Sequence, residues 1–129
     1  MPKIFLLFII LLSACAQDIN FETLEPGQIY NIAHQKLMDK DYSEASDTFA
    51  EVERNHPYSK WAGPSMVMTA YANYQGGQYL DTISYANAFL DSHPGSPLVP
   101  YVLYLKAMSY YMQIPNVERD QSDSLKSMQ

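Results

Sequence analysis

Apolar residues recur every three to four positions along most of the chain between residues 28 and 113. From 28 to 39 they fall at Ile29, Ile32, Ala33 and Leu37, which form one face of a helix. The same period predicts further helices at about 41–56, 63–75, 79–92 and 100–113. No alternating pattern of useful length indicates a strand. The chain is therefore predicted to be all-α.

Turn residues separate the predicted helices. Residues 39–41 make the first turn, and Asp41 with Glu44 three residues later predicts a capping box for the second helix. His56-Pro57 ends that helix, because proline disfavours the helical conformation of the residue before it.

The helices repeat with a period of 37 residues. The shift aligns several pairs of identical residues, which are Tyr42 and Tyr79, His56 and His93, Pro57 and Pro94, Ser59 and Ser96, Ala33 and Ala70, Ala70 and Ala107, and Tyr74 and Tyr111. Such a period is typical of paired helices stacked as a solenoid. We expect two and a half pairs, at 26–62, 63–99 and 100–129. The predicted inter-helix core contains Ala45, Phe49, Val52, Ala70, Phe89 and Ala107.

The first 14 residues have the pattern of a secretory signal. Lys3 gives a cationic start, and 4–12 is an unbroken apolar run of nine residues. As a helix this run spans only about 14 Å, half of what a bilayer core requires. A signal peptide therefore fits, and a transmembrane helix does not.

Residues 12–15, Leu-Ser-Ala-Cys, resemble the lipobox of bacterial lipoproteins. The resemblance implies cleavage before Cys15, acylation of its thiol and of the new amine, and anchoring by the acyl chains. Ala16 stands where an aspartate commonly retains lipoproteins in the inner membrane, which favours the outer membrane and a periplasmic body. Residues 15–25 are then the lipidated cysteine and a tether. The alternative is an ordinary signal peptide with an incidental cysteine.

Composition and charge exclude several functions. The 129 residues are 47% hydrophobic and 17% charged, with a net charge of −6 that disfavours nucleic-acid binding. The single cysteine excludes an internal disulfide and a cysteine-based zinc site. His56 and His93 occupy equivalent positions before prolines, so they are interpreted as turn residues rather than joint metal ligands. With no catalytic motif present, we expect no enzyme activity, no cofactor and no metal site.

The repeats resemble a known family. Ala45, Phe49 and Pro57 match the tetratricopeptide repeat (TPR) pattern. The segments similar to the BamD (ComL) family, TPR lipoproteins of the outer-membrane β-barrel assembly machinery, are 41–45, 52–59, 103–111 and 114–122. The resemblance implies a TPR superhelix that is lipid-anchored at the outer membrane, faces the periplasm and takes part in assembling β-barrel proteins. The alternative is another TPR envelope lipoprotein, such as a pilus-assembly pilotin or a cell-wall-associated scaffold.

The resemblance also implies partners, which are a BamA-type barrel-forming subunit, other lipoproteins of the machinery and unfolded outer-membrane proteins. Family members have about five repeats, and their C-terminal repeats dock BamA. We interpret this chain as an N-terminal portion or a truncated product. We therefore expect it to bind a BamA-type partner weakly or not at all.

The first helix of each TPR lines a concave surface, and this gives a candidate peptide-binding groove. Its predicted residues are Tyr30, His34, Leu37, Val67, Tyr71, Tyr74, Tyr101, Tyr104, Met108 and Tyr111. Tyrosine offers a large contact area and a hydroxyl, and methionine adapts to irregular partners. The set suits an extended peptide with aromatic side chains, such as the C-terminal signal of an unfolded β-barrel protein. The alternative for each tyrosine is packing between helices.

Overall fold

The computed structural model describes residues 19–114. A 3-10 turn at Phe21–Thr23 precedes five helices, which are α1 Pro26–Met38, α2 Tyr42–Asn55, α3 Ala62–Gln75, α4 Tyr79–Ser92 and α5 Val99–Met112. All regular structure in this part of the chain is helical, which confirms the all-α prediction. No helix within 19–114 is long and apolar enough to cross a membrane. The predictions for 1–14, for Cys15 and for the loop after residue 114 fall outside the described residues.

Helix α1 begins two residues before its predicted start because Pro26 occupies the first helical position. Proline suits that position, since its φ is already helical and it has no N–H to satisfy. Glu25 precedes it, and its backbone N–H donates to Oε1 of Gln28 at 2.9 Å. These contacts fix the direction in which the N-terminal segment enters the first repeat.

The predicted capping box of α2 forms in one direction only. Oδ1 of Asp41 accepts a hydrogen bond from the Glu44 backbone N–H at 3.4 Å. The Asp41 N–H already donates to the carbonyl of Lys36 at 3.0 Å, so the Glu44 carboxylate has no role there. It lies instead 2.7 Å from Nζ of Lys36, whose hydrogen bond and charge lower the pKa of Glu44. The acid thus links α2 to α1.

The turns that follow α1 and α3 have the same backbone geometry. Lys40 and Gly77, which the 37-residue shift aligns, have φ values of 63° and 76°. In each turn the backbone N–H of the residue that follows donates a hydrogen bond to a carbonyl of the preceding helix. Asp41 donates to Lys36 at 3.0 Å, and Gln78 donates to Asn73 at 2.8 Å. Both turns are therefore left-handed helix C-caps.

Successive helices pack as antiparallel neighbours, and α3 also contacts α1 and α5. Alanines at the helix contacts allow the helices to approach closely. One core cluster lies between the first three helices and contains Ala33, Ala45, Phe49 and Ala72. A second lies between the last three and contains Val67, Ala86, Phe89 and Val102. Together these packed helix pairs form a TPR-like repeat fold.

Five of the six predicted core residues are buried, and Ala107 is the exception. Its equivalents Ala33 and Ala70 are buried, and Ala33 packs with Ala45 and Phe49 of the second helix of its repeat. Within the described residues no helix follows α5, so the matching face of α5 is exposed. Leu103 and Tyr110 on that face are exposed as well. The core position of Ala107 is therefore wrong for this part of the chain.

The bundle has two distinct ends. The turns at 56–61 and 93–98 lie at one end, together with the Phe21–Thr23 turn, because α1 begins where α2 ends. We call this the long-turn end. The turns at 39–41 and 76–78 lie at the opposite, short-turn end, and a helix of 14 residues separates the two ends by about 21 Å.

Candidate peptide-binding groove

The first helices of the three repeats, α1, α3 and α5, lie side by side because α3 contacts both of the others. Their shared surface is the one on which the sequence places the groove. The 37-residue register brings the predicted residues into rows that cross the three helices. The rows differ in how far neighbouring helices cover them.

One row remains accessible in all three repeats. It consists of His34, Tyr71 and Met108, which the register aligns. His34 is exposed, and the other two side chains are half-buried. Each of α1, α3 and α5 therefore contributes one side chain of this row that a ligand can reach.

A second row is covered in the first two repeats. Tyr30 packs edge-on against Phe49 with ring centroids 5.1 Å apart, and its ring lies 4.9 Å from that of Trp61 at the start of α3. Val67 is only 4% exposed and belongs to the second core cluster. Tyr104, the third member, is 55% exposed. Val67 therefore belongs to the core rather than to an open groove, and Tyr30 is half-buried against the first core cluster.

A third row shows the same trend. Leu37 packs against the first core cluster, and Tyr74 is half-buried with its ring centroid 5.7 Å from that of Tyr79. Tyr111 is 66% exposed. Only the member on α5 is thus fully available to a ligand.

Three tyrosines from α3 and α5 come together, and we call them the tyrosine cluster: Tyr71, Tyr101 and Tyr104. The rings of Tyr101 and Tyr104 are nearly parallel, 26° apart in plane, with centroids separated by 6.3 Å. Burial raises the pKa of Tyr101, and the neighbouring phenols of Tyr71 and Tyr104 raise it further. The cluster joins the accessible row to the exposed side of α5. Tyr101 is 40% exposed and Tyr104 is 55% exposed, whereas Tyr71 is half-buried.

Sequence reasoning did not identify an open cleft at the long-turn end. It has a volume of about 370 Å³, and its walls include Lys60, Gly63, His93 and Ser96. Although His93 is a turn residue as predicted, its ring stacks on Phe89 and forms part of this wall. The repeated His-Pro pair is the only sequence signal that points to it. Within residues 19–114 no three His, Cys, Asp or Glu side chains lie close enough together to hold a metal ion.

The sequence profile of one protein family, YfiO, described as outer membrane lipoprotein, matches residues 22–129. The matched residues include all five helices and therefore every residue of the candidate groove. The chain belongs to the YfiO family. Cys15 precedes the matched residues, so the match does not extend to the proposed anchor.

The chain is also similar to relatives named outer membrane protein assembly factor BamD. The relative from Caulobacter vibrioides is 45% identical over 94 residues, which are 73% of this chain and 31% of that protein. The relative from Rickettsia prowazekii is 32% identical over 111 residues, 86% of this chain and 44% of that protein. These matches confirm the resemblance to the BamD family. The chain spans less than half the length of both relatives.

Proposed function

We propose that this chain is a subunit of the β-barrel assembly machinery, anchored by lipid at Cys15 to the outer membrane and facing the periplasm. The support is its membership of a family of outer membrane lipoproteins, its similarity to BamD proteins and the lipobox at 12–15. The names of these relatives favour this role over that of a pilotin or a cell-wall scaffold.

Within that role, the repeats bind unfolded segments of outer-membrane proteins. The observation that carries this step is the convergence of Tyr71, Tyr101 and Tyr104 on the surface shared by α3 and α5. Rings and hydroxyls on one surface suit an extended chain, whose aromatic side chains stack while its backbone groups accept and donate hydrogen bonds. Met108 and His34 extend this surface along the accessible row.

Two features of a β-barrel strand match this surface. Its side chains alternate, so aromatic residues recur on one side about every 7 Å. Its backbone N–H and C=O groups are unpaired before the barrel closes, so hydroxyl partners compensate for their lost water. The ligand we propose is therefore an extended peptide with alternating aromatic residues and a free C-terminus.

A peptide titration tests the groove. The probe is a synthetic peptide with the alternating aromatic pattern of a β-barrel terminal strand, titrated by calorimetry. Tyr71→Ala and Tyr101→Ala should each weaken binding by about 1–2 kcal/mol, or roughly 5- to 30-fold, as expected for aromatic hot spots. The matched control is Tyr58→Ala, because Tyr58 is fully exposed at the long-turn end.

Circular dichroism establishes that each variant is folded. Unchanged affinity in both groove variants would place the peptide site elsewhere. An equal loss in Tyr58→Ala would show that the effect is not specific to the groove.

A further inference from the structure

The segment that leads towards Cys15 is fixed to the long-turn end. Oδ1 of Asn20 accepts a hydrogen bond from the Glu22 N–H at 3.1 Å, and the Thr23 hydroxyl donates to the Asn20 carbonyl at 3.0 Å. The turn that these bonds close contacts α2. The carbonyl of Leu24 lies 2.7 Å from Nε2 of His56. The chain therefore leaves the folded body close to Ile19.

Little chain separates that point from the proposed anchor. Three residues, 16–18, lie between Cys15 and Ile19. Even fully extended, the four Cα–Cα steps reach only about 14 Å. The short-turn end lies about 21 Å beyond the long-turn end, along helices of 14 residues. An acylated Cys15 thus holds the long-turn end near the lipid surface and leaves the short-turn end farther away.

The chemistry of the long-turn end suits that surface. Tyr58 is 101% exposed, so its whole ring is in solvent. Lys60 is exposed beside it, and its Nζ lies 5.9 Å from the centre of the Trp61 ring. Tyrosine and lysine are side chains that place an apolar body in the interface and a polar tip in water. Such a pair suits a headgroup layer, where the ring contacts the interface and the ammonium group stays in water.

The charged side chains at this end favour contact with a zwitterionic lipid over an anionic one. Lys60 and Arg54, which lies in the last turn of α2, are the cations among the described residues at this end. The exposed acids there outnumber them and are Glu22, Glu25, Glu53 and Asp91. An anionic surface would therefore gain little from electrostatic attraction. These charges suit a zwitterionic phospholipid surface better than an anionic one, and the exposed ring of Tyr58 is the side chain best suited to contact it.

We propose that the long-turn end of the repeats rests on the phospholipid surface, with Tyr58 in the headgroup layer and the short-turn end directed away from the membrane. This orientation rests on the proposed lipid anchor at Cys15. It also assigns a function to Tyr58, which is fully exposed and lies outside the candidate groove.

Depth-dependent fluorescence quenching tests the orientation. The chain from Cys15 is coupled through its single thiol to a maleimide lipid in phosphatidylcholine vesicles with brominated acyl chains. In a Trp61→Phe background, one variant carries Tyr58→Trp and the matched control carries Leu80→Trp. Leu80 is 73% exposed and lies at the short-turn end. Quenching of the Tyr58→Trp variant should exceed that of the control at least about twofold.

The chemical coupling supplies the anchor, so this result does not depend on whether cells acylate Cys15. Intact-mass analysis of membrane-extracted protein tests acylation separately. If Trp61→Phe disturbs folding, the same comparison is made with Trp61 retained as a constant background. Equal quenching at the two positions, stronger quenching of the Leu80→Trp control, or no quenching at either would overturn the orientation.

Discussion

Lys40 and Gly77 occupy the same place in successive repeats, and both have a positive φ. A side chain makes this conformation unfavourable by roughly 1–2 kcal/mol, whereas glycine adopts it freely. Lys40→Gly should therefore raise the free energy of unfolding by about 0.5–1 kcal/mol, because part of the gain is offset by the greater freedom of glycine in the unfolded chain. Chemical denaturation measures the change.

Gly77→Lys is the reciprocal control and should lower the free energy of unfolding by about 1 kcal/mol. No atom lies within 4 Å of a Cβ built at Gly77, so the cost comes from the backbone rather than from crowding. Changes of the same sign in the two variants would contradict the shared turn geometry.

The phenol of Tyr30 makes a pH-dependent contribution to stability. Burial raises the pKa of Tyr30 above its ordinary value of 10.0, so the folded state retains a proton that the unfolded chain releases. This contribution is fully present below pH 10 and is lost as the pH rises through the folded-state pKa. Tyr30→Phe keeps the ring contacts with Phe49 and Trp61 and removes the ionisation.

The variant should therefore lose less stability above pH 10 than the unaltered chain. Burial also raises the pKa of Tyr85 and Tyr101, so some alkaline loss should remain. Denaturant melts at a series of pH values from neutral to alkaline measure the difference. The same alkaline slope in both chains would show that Tyr30 does not titrate differently on folding.

At the scale of helices, the two equivalent alanines Ala70 and Ala107 distinguish a covered face from an uncovered one. Ala70 is buried against its neighbours, so Ala70→Leu should destabilise the fold by about 1–3 kcal/mol through overpacking. Ala107→Leu should change stability by less than about 0.5 kcal/mol, as is usual for exposed positions. Equal losses would show that residues outside 19–114 cover the exposed face of α5.

The helices could be predicted from the sequence because two patterns in it agree. The 3.6-residue period gives each helix, and the 37-residue shift gives equivalent turns. Helix α4 matches its predicted bounds, and α5 differs by one residue at each end. The start of α1 was predicted two residues too late, because Pro26 begins the helix and the spacing of apolar residues does not indicate this. The second half of the predicted α2 capping box does not form, because Lys36 of α1 binds both the Asp41 N–H and the Glu44 carboxylate.

The candidate groove was harder to predict from the sequence than the helices were, because exposure depends on the whole stack of repeats. Periodicity shows which residues share a face of one helix, but coverage depends on the next repeat. Tyr30, Val67 and Tyr104 occupy one row, yet only the member on α5 is open. The exposure of a position in a solenoid therefore depends on its place in the stack as well as on its place in the helix.

The resemblance gives a prediction about binding of a partner subunit by the first repeats. The chain spans 31% and 44% of two BamD relatives, and its five described helices correspond to about two and a half repeats. The resemblance assigns docking of a BamA-type subunit to later repeats. We therefore expect the repeats within residues 19–114, tested alone, to be retained weakly or not at all by the soluble domains of such a subunit in a pull-down. A longer BamD protein is the positive control, and binding of the aromatic peptide by the same sample shows that the repeats are folded.

Retention equal to that of the longer protein would contradict this expectation and would assign docking to the first repeats. The exposed face of α5 would then be the first surface to examine, by substitution of Leu103 and Tyr110.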